Sequence, residues 1–322
     1  MKLALKILFS VVALFVLSGI GGYFYMRRKF TPPANQLTVA GLPVRTPFVW
    51  RADTTDGHAM PHAGLLIPVQ LPNCPRTCYL QFDTGAPYSV LYAPSLAALH
   101  ARYPALPAAA ADTVRNFRFA LGNGQVQARW MLVLPRGGSA LPADSTAPFI
   151  IGTLGSDVVD GRALVLDYAR RRFTLAASVP DSLVPRTDFV PLAFTNRRVL
   201  LSMGVQGEPR QLMFDTGSSA FALMTSKGNW EQMAQPGAVP RTAVVNSWGH
   251  PLTSYTVATL ATLNLNAVAL PLRTVTYIEG TTPMQNLLTR FSGLGGMLGN
   301  APFAERTVIL DVRNERFGLV RP

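Results

Sequence analysis

Beyond residue 44 the chain writes its apolar residues in short bursts. Stretches rich in Val, Leu, Thr and Phe are cut every eight to twelve residues by Gly, Pro, Asn or Asp. Bursts of that length bounded by turn formers predict strands rather than helices. "LLIPVQL" and "YLQF" flank the turn-forming "PNCPRT" and predict a hairpin. "NFRFALGNGQVQARWMLVL" predicts another, centred on Gly122-Asn123-Gly124, since Asn-Gly is the strongest short hairpin signal. "TAVVNSWGHPLTSYTVATL" predicts a third, turning near Trp248-Gly249-His250. The chain has 322 residues, 48% hydrophobic and 14% charged, with 26 Gly and 26 Pro, so the expectation is an all-β protein with a sizeable core.

The pattern also repeats at domain scale. Residues 30–44, "FTPPANQLTVAGLPV", read as a Pro-containing linker, and "ASVPDSLVPRT" (177–187) as a looser stretch between two halves, 45–180 and 181–322. The halves open alike on "RTPFV" and "RTDFV". They continue alike through "YLQFDTG" and "QLMFDTG", and close alike on "ALVLDYARRRFTL" and "TVILDVRNERFGLV". Asp83 and Asp215 lie 132 apart, Asp167 and Asp311 144 apart, so the second half carries about twelve extra residues before its closing segment.

Charge adds little to this picture. The formal net charge is +12, but five of the 29 basic residues fall in the first 34, which contain no acid. The rest holds 24 basic against 17 acidic residues, with arginines spread out apart from Arg170-Arg171-Arg172, as on a solvated surface. No nucleic-acid partner is expected. Residues 7–26 are twenty uncharged residues between Lys6 and Arg27, long enough as a helix to span roughly 30 Å of bilayer core. Residues 1–29 therefore read as an N-terminal transmembrane anchor, or alternatively as a signal peptide whose cleavage would release the body. Cys74 and Cys78 in the turn-forming loop can close a disulfide if the body lies outside the cytoplasm, or remain two reduced thiols. The expected location is a membrane-anchored body on the extracytoplasmic side.

The repeated "FDTG" carries the chemistry. An Asp after an apolar strand, fixed by Thr and Gly, is a carboxylate held at the edge of a core. If the halves pack about a pseudo-two-fold axis, Asp83 and Asp215 face each other, share a proton and titrate as a pair. The ionised member can draw a proton from water while the protonated member donates to the carbonyl that water attacks. Thr84 and Thr216 would brace the paired loops, and Gly85 and Gly217 would let backbone approach the carboxylates.

On these motifs, and on the Gly elements "FIIGTLG" (149–155) and "GGMLG" (295–299), the chain resembles aspartic proteases of the pepsin and retropepsin class, and looks closer to bacterial retropepsin-like proteins than to pepsin itself. The resemblance covers about residues 45–322. It implies two β-barrel-like lobes related by pseudo-two-fold symmetry, an extended polypeptide substrate in the cleft between them, and endopeptidase activity from a monomer without cofactor or metal. It also implies that Ser218 bonds the adjacent carboxylate, where the first motif has Ala86, and that the hairpin tips at Asn123–Gly124 and Trp248–Gly249 are flaps. The competing function is a non-catalytic module that grips an extended peptide with the same fold. Other patterns are weaker: "GLGGMLG" lacks dinucleotide spacing, and His58 and His62 of "HAMPH" read as a solvated loop. Because Ala86 cannot donate a hydroxyl to Asp83, a pH–rate profile of peptide cleavage should peak nearer neutral than a pepsin-type enzyme; a maximum below about pH 4 contradicts this.

Overall fold

The computed structural model describes residues 31–321 apart from 56–57, 109–110, 248–249, 267 and 281–292, together with residues 9, 14–22, 24 and 25. About half of the chain is strand, so the protein is mostly β. The first half contributes β1 (Leu37–Ala40), β2 (Val44–Pro47), β3 (Val49–Thr55), β4 (His58–Gln70), β5 (Thr77–Asp83), β6 (Val90–Tyr92), β7 (Thr113–Leu121), β8 (Gly124–Leu134), β9 (Ile150–Gly155), β10 (Ala163–Asp167) and β11 (Arg172–Ala176). The second contributes β12 (Thr187–Thr195), β13 (Arg198–Val205), β14 (Glu208–Phe214), β15 (Leu223–Met224), β16 (Arg241–Ser247), β17 (His250–Ala258), β18 (Thr262–Leu265), β19 (Val268–Pro271), β20 (Thr274–Glu279), β21 (Gly296–Leu298), β22 (Thr307–Asp311) and β23 (Arg316–Val320). Helices α1 (Ala93–Arg102) and α2 (Lys227–Met233) follow β6 and β15.

Two kinds of strand follow from two kinds of pattern. In β5, "TCYLQFD", every second side chain is buried, the signature of a sheet with one core face. In β10 and β22, "ALVLD" and "TVILD", four consecutive residues are buried, because these strands pair with each other and are covered on both faces.

One sheet runs β1-β8-β6-β9-β5-β4-β3, with β7 pairing β4 and β8. The other runs β16-β17-β20-β15-β21-β14-β13-β12-β23-β22-β10-β11-β2, with β18 pairing β13 and β19. Strands β2, β10 and β11 of the first half thus belong to the sheet of the second, joined through Leu164↔Leu310 and its antiparallel neighbours. The closing hairpins β10–β11 and β22–β23 turn alike. Asp167 accepts from the backbone of Arg170 and Asp311 from that of Asn314, and Arg171 and Glu315 share φ 51°.

Several expectations shift. Residues 37–40 of the expected linker form β1, pairing with β8 from Leu37↔Ala128 to Ala40↔Gln125, because Leu37 finds a place in the core. Asn35–Pro322 forms one compact unit, and Met1–Ala34 another. Of the anchor expected at residues 7–26, residues 9, 14–22, 24 and 25 are described and helical, and the others lie outside the described residues; no described helix is long and apolar enough to cross a membrane. His62 lies in β4 and packs its ring 4.5 Å from that of Trp50, where a solvated loop was expected.

The Cys74–Cys78 disulfide is not formed. Both are buried free thiols, each within reach of the same acceptor, the Arg76 carbonyl, at 3.5 and 3.9 Å. Burial and the neighbouring Cys74 push the Cys78 thiol up to about 12, which keeps it protonated and unreactive.

The Phe of each "FDTG" has a packing role. Phe82 meets Phe173 edge-on at 5.3 Å, and Phe214 meets Phe317 at 5.5 Å and Phe303 at 5.8 Å. Each Phe seats the end of its strand on the closing hairpin behind it. Phe214 has no solvent exposure, so Phe214→Ala should destabilise the fold by about 3–5 kcal/mol, read as a lower midpoint in urea unfolding.

Candidate active site

Strand β5 delivers Asp83 and strand β14 delivers Asp215, each where the apolar run ends and the chain turns. The two loops are locked by reciprocal hydrogen bonds. Thr84 N–H donates to Thr216 Oγ1 and Thr216 N–H to Thr84 Oγ1, both at 3.0 Å. Each hydroxyl then donates across to the other strand, Thr84 to Phe214 O at 2.7 Å and Thr216 to Phe82 O at 3.0 Å. Both threonines are fully buried, so all four bonds form away from water. Thr84 and Thr216 therefore tie each loop to the strand that leads into the other.

Gly85 and Gly217 measure how closely the carboxylates sit. A Cβ added at Gly85 would lie 2.6 Å from Asp215 Oδ1, and one added at Gly217 would lie 2.5 Å from Asp83 Oδ1. Each carboxylate thus packs over the glycine of the opposite loop. Gly155 and Gly299 allow a second close approach, because a Cβ there would come within 2.5 Å of Tyr88 C and 2.3 Å of Ser218 O. Strand β9 therefore runs against the first loop and β21 against the second.

The two carboxylates have unequal surroundings. Asp83 Oδ1 accepts from the backbone N–H of Gly85 at 2.9 Å and of Ala86 at 3.1 Å. Asp215 Oδ1 accepts from Gly217 N–H at 2.9 Å, while its Oδ2 accepts from the Ser218 hydroxyl at 2.7 Å. Ala86 is wholly buried and offers only its backbone. Burial first, then the charge and hydrogen bond of Asp215, hold the Asp83 carboxyl well above the ordinary carboxylate range.

Residues outside the motif complete the loops. Behind Asp215, Asn300 Nδ2 donates to Thr216 O at 3.3 Å and Ser219 Oγ at 3.0 Å, and Asn300 Oδ1 accepts from Tyr168 of the first half at 2.8 Å. Behind Asp83, the buried Asp157 accepts from Ser89 N–H at 2.8 Å and Ser89 Oγ at 2.7 Å. Arg197, in the β12–β13 turn, donates to Asp160 at 3.2 Å and to Pro87 O at 3.4 Å. Sequence reading passed over all of these. For Asp157 and Asn300 the signal was available: each is polar and lies within two residues of an apolar-Gly element, in "LGSD" and "LGN". For Arg197 no signal distinguished it from neighbouring arginines.

The expected flap at Asn123–Gly124 takes a different place. Asn123 Oδ1 accepts from Arg45 N–H at 2.6 Å and its Nδ2 donates to Pro43 O at 3.1 Å, so this tip is a fixed corner beside β2. In the second half the β18–β19 turn is also fastened by an Asn, Asn266 donating to Phe189 O at 2.8 Å, and β18 pairs with β13 as β7 pairs with β4. Strand β20 lies parallel to β15 as β8 lies parallel to β6, and hairpin β16–β17 pairs with β20. The expected flap residues Trp248 and Gly249 lie outside the described residues.

Among the described residues no group of three His, Cys, Asp or Glu is placed to hold a metal. Comparison with protein-family models gives no match, and comparison with curated proteins gives none.

A buried carboxyl raised in the folded state favours folding while protonated. That contribution is full below the ordinary Asp value and is lost as pH rises through the elevated one. Asp83→Asn should therefore match wild type in thermal stability near about pH 4 and exceed it increasingly toward about pH 8. Parallel melting curves for the two proteins would reverse this assignment.

Proposed function

We propose that the chain is an aspartic endopeptidase of the two-lobed pepsin and retropepsin type, its halves related by pseudo-two-fold symmetry about the Asp83–Asp215 pair. The observation that carries this reading is the mutual packing of the two carboxylates over Gly217 and Gly85, held by the four reciprocal threonine bonds. Carboxyls so close cannot both ionise cheaply, and one proton stays in the pair.

Asp83, whose burial favours the neutral form, is the acid. Its backbone donors both fall on Oδ1, so the proton resides on Oδ2, free to be given to a substrate carbonyl oxygen. Asp215, bonded by Ser218 and Gly217, is the base that takes a proton from the attacking water. After the tetrahedral intermediate forms, the proton taken up by Asp215 passes to the leaving amine. The substrate is a polypeptide in extended conformation, the body lies on the extracytoplasmic side of a membrane, and residues 1–29 anchor it.

A peptide-library digest by the full chain, beside Asp83→Asn and Asp215→Asn, tests the assignment. Either substitution should lower kcat by roughly a hundredfold to ten-thousandfold. Cleavage that survives both removes the pair from the mechanism. Peptide binding by all three proteins with cleavage by none identifies a peptide-gripping module.

A further inference from the structure

The loop that carries Asp83 is fastened by a second buried carboxylate, and among the described residues no carboxylate bonds the loop of Asp215 from behind. Asp157 sits in the turn that follows β9 and is 3% exposed. Its two oxygens each face a donor of Ser89, six residues along the loop from Asp83. Ser89 Oγ in turn accepts from Gly155 N–H at 2.9 Å, so its own proton is committed to Asp157. The adjoining Ser156 donates its N–H to Ala86 O at 2.9 Å, and its hydroxyl lies between two acceptors, Ala86 O at 3.0 Å and Arg197 O. Ala86 is the residue whose N–H donates to Asp83. Two sets of hydrogen bonds, joined through the Gly155–Ser156 peptide, therefore lead from Asp157 to the acid of the pair.

We infer that Asp157 is a positioning residue that holds the Asp83 loop while it is ionised and loosens it when protonated. This places a pH control of the activity outside the pair itself. The inference rests on the protease reading for its effect on rate, but not for its effect on the loop. A proton on either Asp157 oxygen competes with a Ser89 donor for that oxygen's lone pairs and removes the charge that strengthens both bonds. Burial pushes the Asp157 carboxyl up to about 6, against the Ser89 bonds and the Arg197 charge, which lower it.

The charged groups facing it are Arg197 from the β12–β13 turn, Arg162 just beyond its own turn, and Asp160. Asp160 bonds Arg197 Nε at 3.2 Å and Asn35 Nδ2 at 3.2 Å. The opposite loop is held by Asn300 and Ser219, with Tyr168 behind them. Amides and serine hydroxyls do not titrate, and burial pushes the Tyr168 phenol further up. Acid sensitivity thus falls on one loop of two.

Hydrogen exchange of the amides of Thr84, Gly85, Ala86, Tyr88 and Ser89 in the full chain, corrected for intrinsic rates and followed from about pH 7.5 to 4.5, reads the loop directly. Wild type should lose protection as pH falls through about 6, and Asp157→Asn should show no step there. If cleavage is observed, kcat of wild type should show an acid limb in the same range, absent from Asp157→Asn, while KM is unaffected.

Should Asp157→Asn fail to fold, Ser89→Ala keeps the carboxylate and removes one donor. It should lower protection of the same amides at neutral pH and reduce kcat roughly tenfold. Protection that is flat with pH in wild type, or an unchanged step in Asp157→Asn, overturns the inference. An intact step in a protein that cleaves nothing upholds it and removes the protease reading instead.

Discussion

Four hydrogen bonds between Thr84 and Thr216 and the strands that precede them are the constraint on which the site depends. Each hydroxyl donates one bond and accepts another, and each is buried without exposure to water. Separating the two loops would strand those buried donors and acceptors, each at about 1–3 kcal/mol. The lock is neutral and so does not change with pH. The two carboxylates that repel each other above it are held together by a part of the structure that titration leaves alone.

Around this shared lock the two loops diverge. The backbone donates to both aspartates in the same way, through Gly85 and Gly217. Beyond that, the second loop draws on Ser218, Asn300 and Tyr168, and the first on Ser89, Asp157 and Arg197. Several of these partners cross between the halves. Tyr168 of the first half supports the second loop, and Arg197 of the second half reaches the first. The environment of each carboxylate is thus set partly by the half that does not contain it. That is how two copies of one motif come to lie in unequal surroundings.

The strands at the rim and at the centre were legible for a simple reason. A strand wet on one face must alternate, as in "TCYLQFD", and one covered on both faces must be continuously apolar, as in "ALVLD". β1 was missed because four residues between prolines and glycines carry too short a pattern, and their pairing with β8 is a tertiary event. The Asn123–Gly124 hairpin was read rightly as a hairpin and wrongly as a cover. Its turn chemistry is local, while its bonds to Pro43 and Arg45 come from residues about eighty positions away.

The sequence by itself determined the mostly β character, the repeat, and the loop conformation that holds each Asp between an apolar strand and a glycine. All three rest on interactions between near neighbours: side-chain alternation, turn formation, the reach of a carboxylate to an N–H two residues on. Only the tertiary structure decided that the two aspartates meet, that Cys74 and Cys78 remain thiols, and which residues stand behind each loop. Those outcomes depend on the packing of the folded chain, which brings together groups as far apart as Thr84 and Thr216, and burial turns Asp157 and Asn300 from ordinary polar residues into groups whose every bond matters.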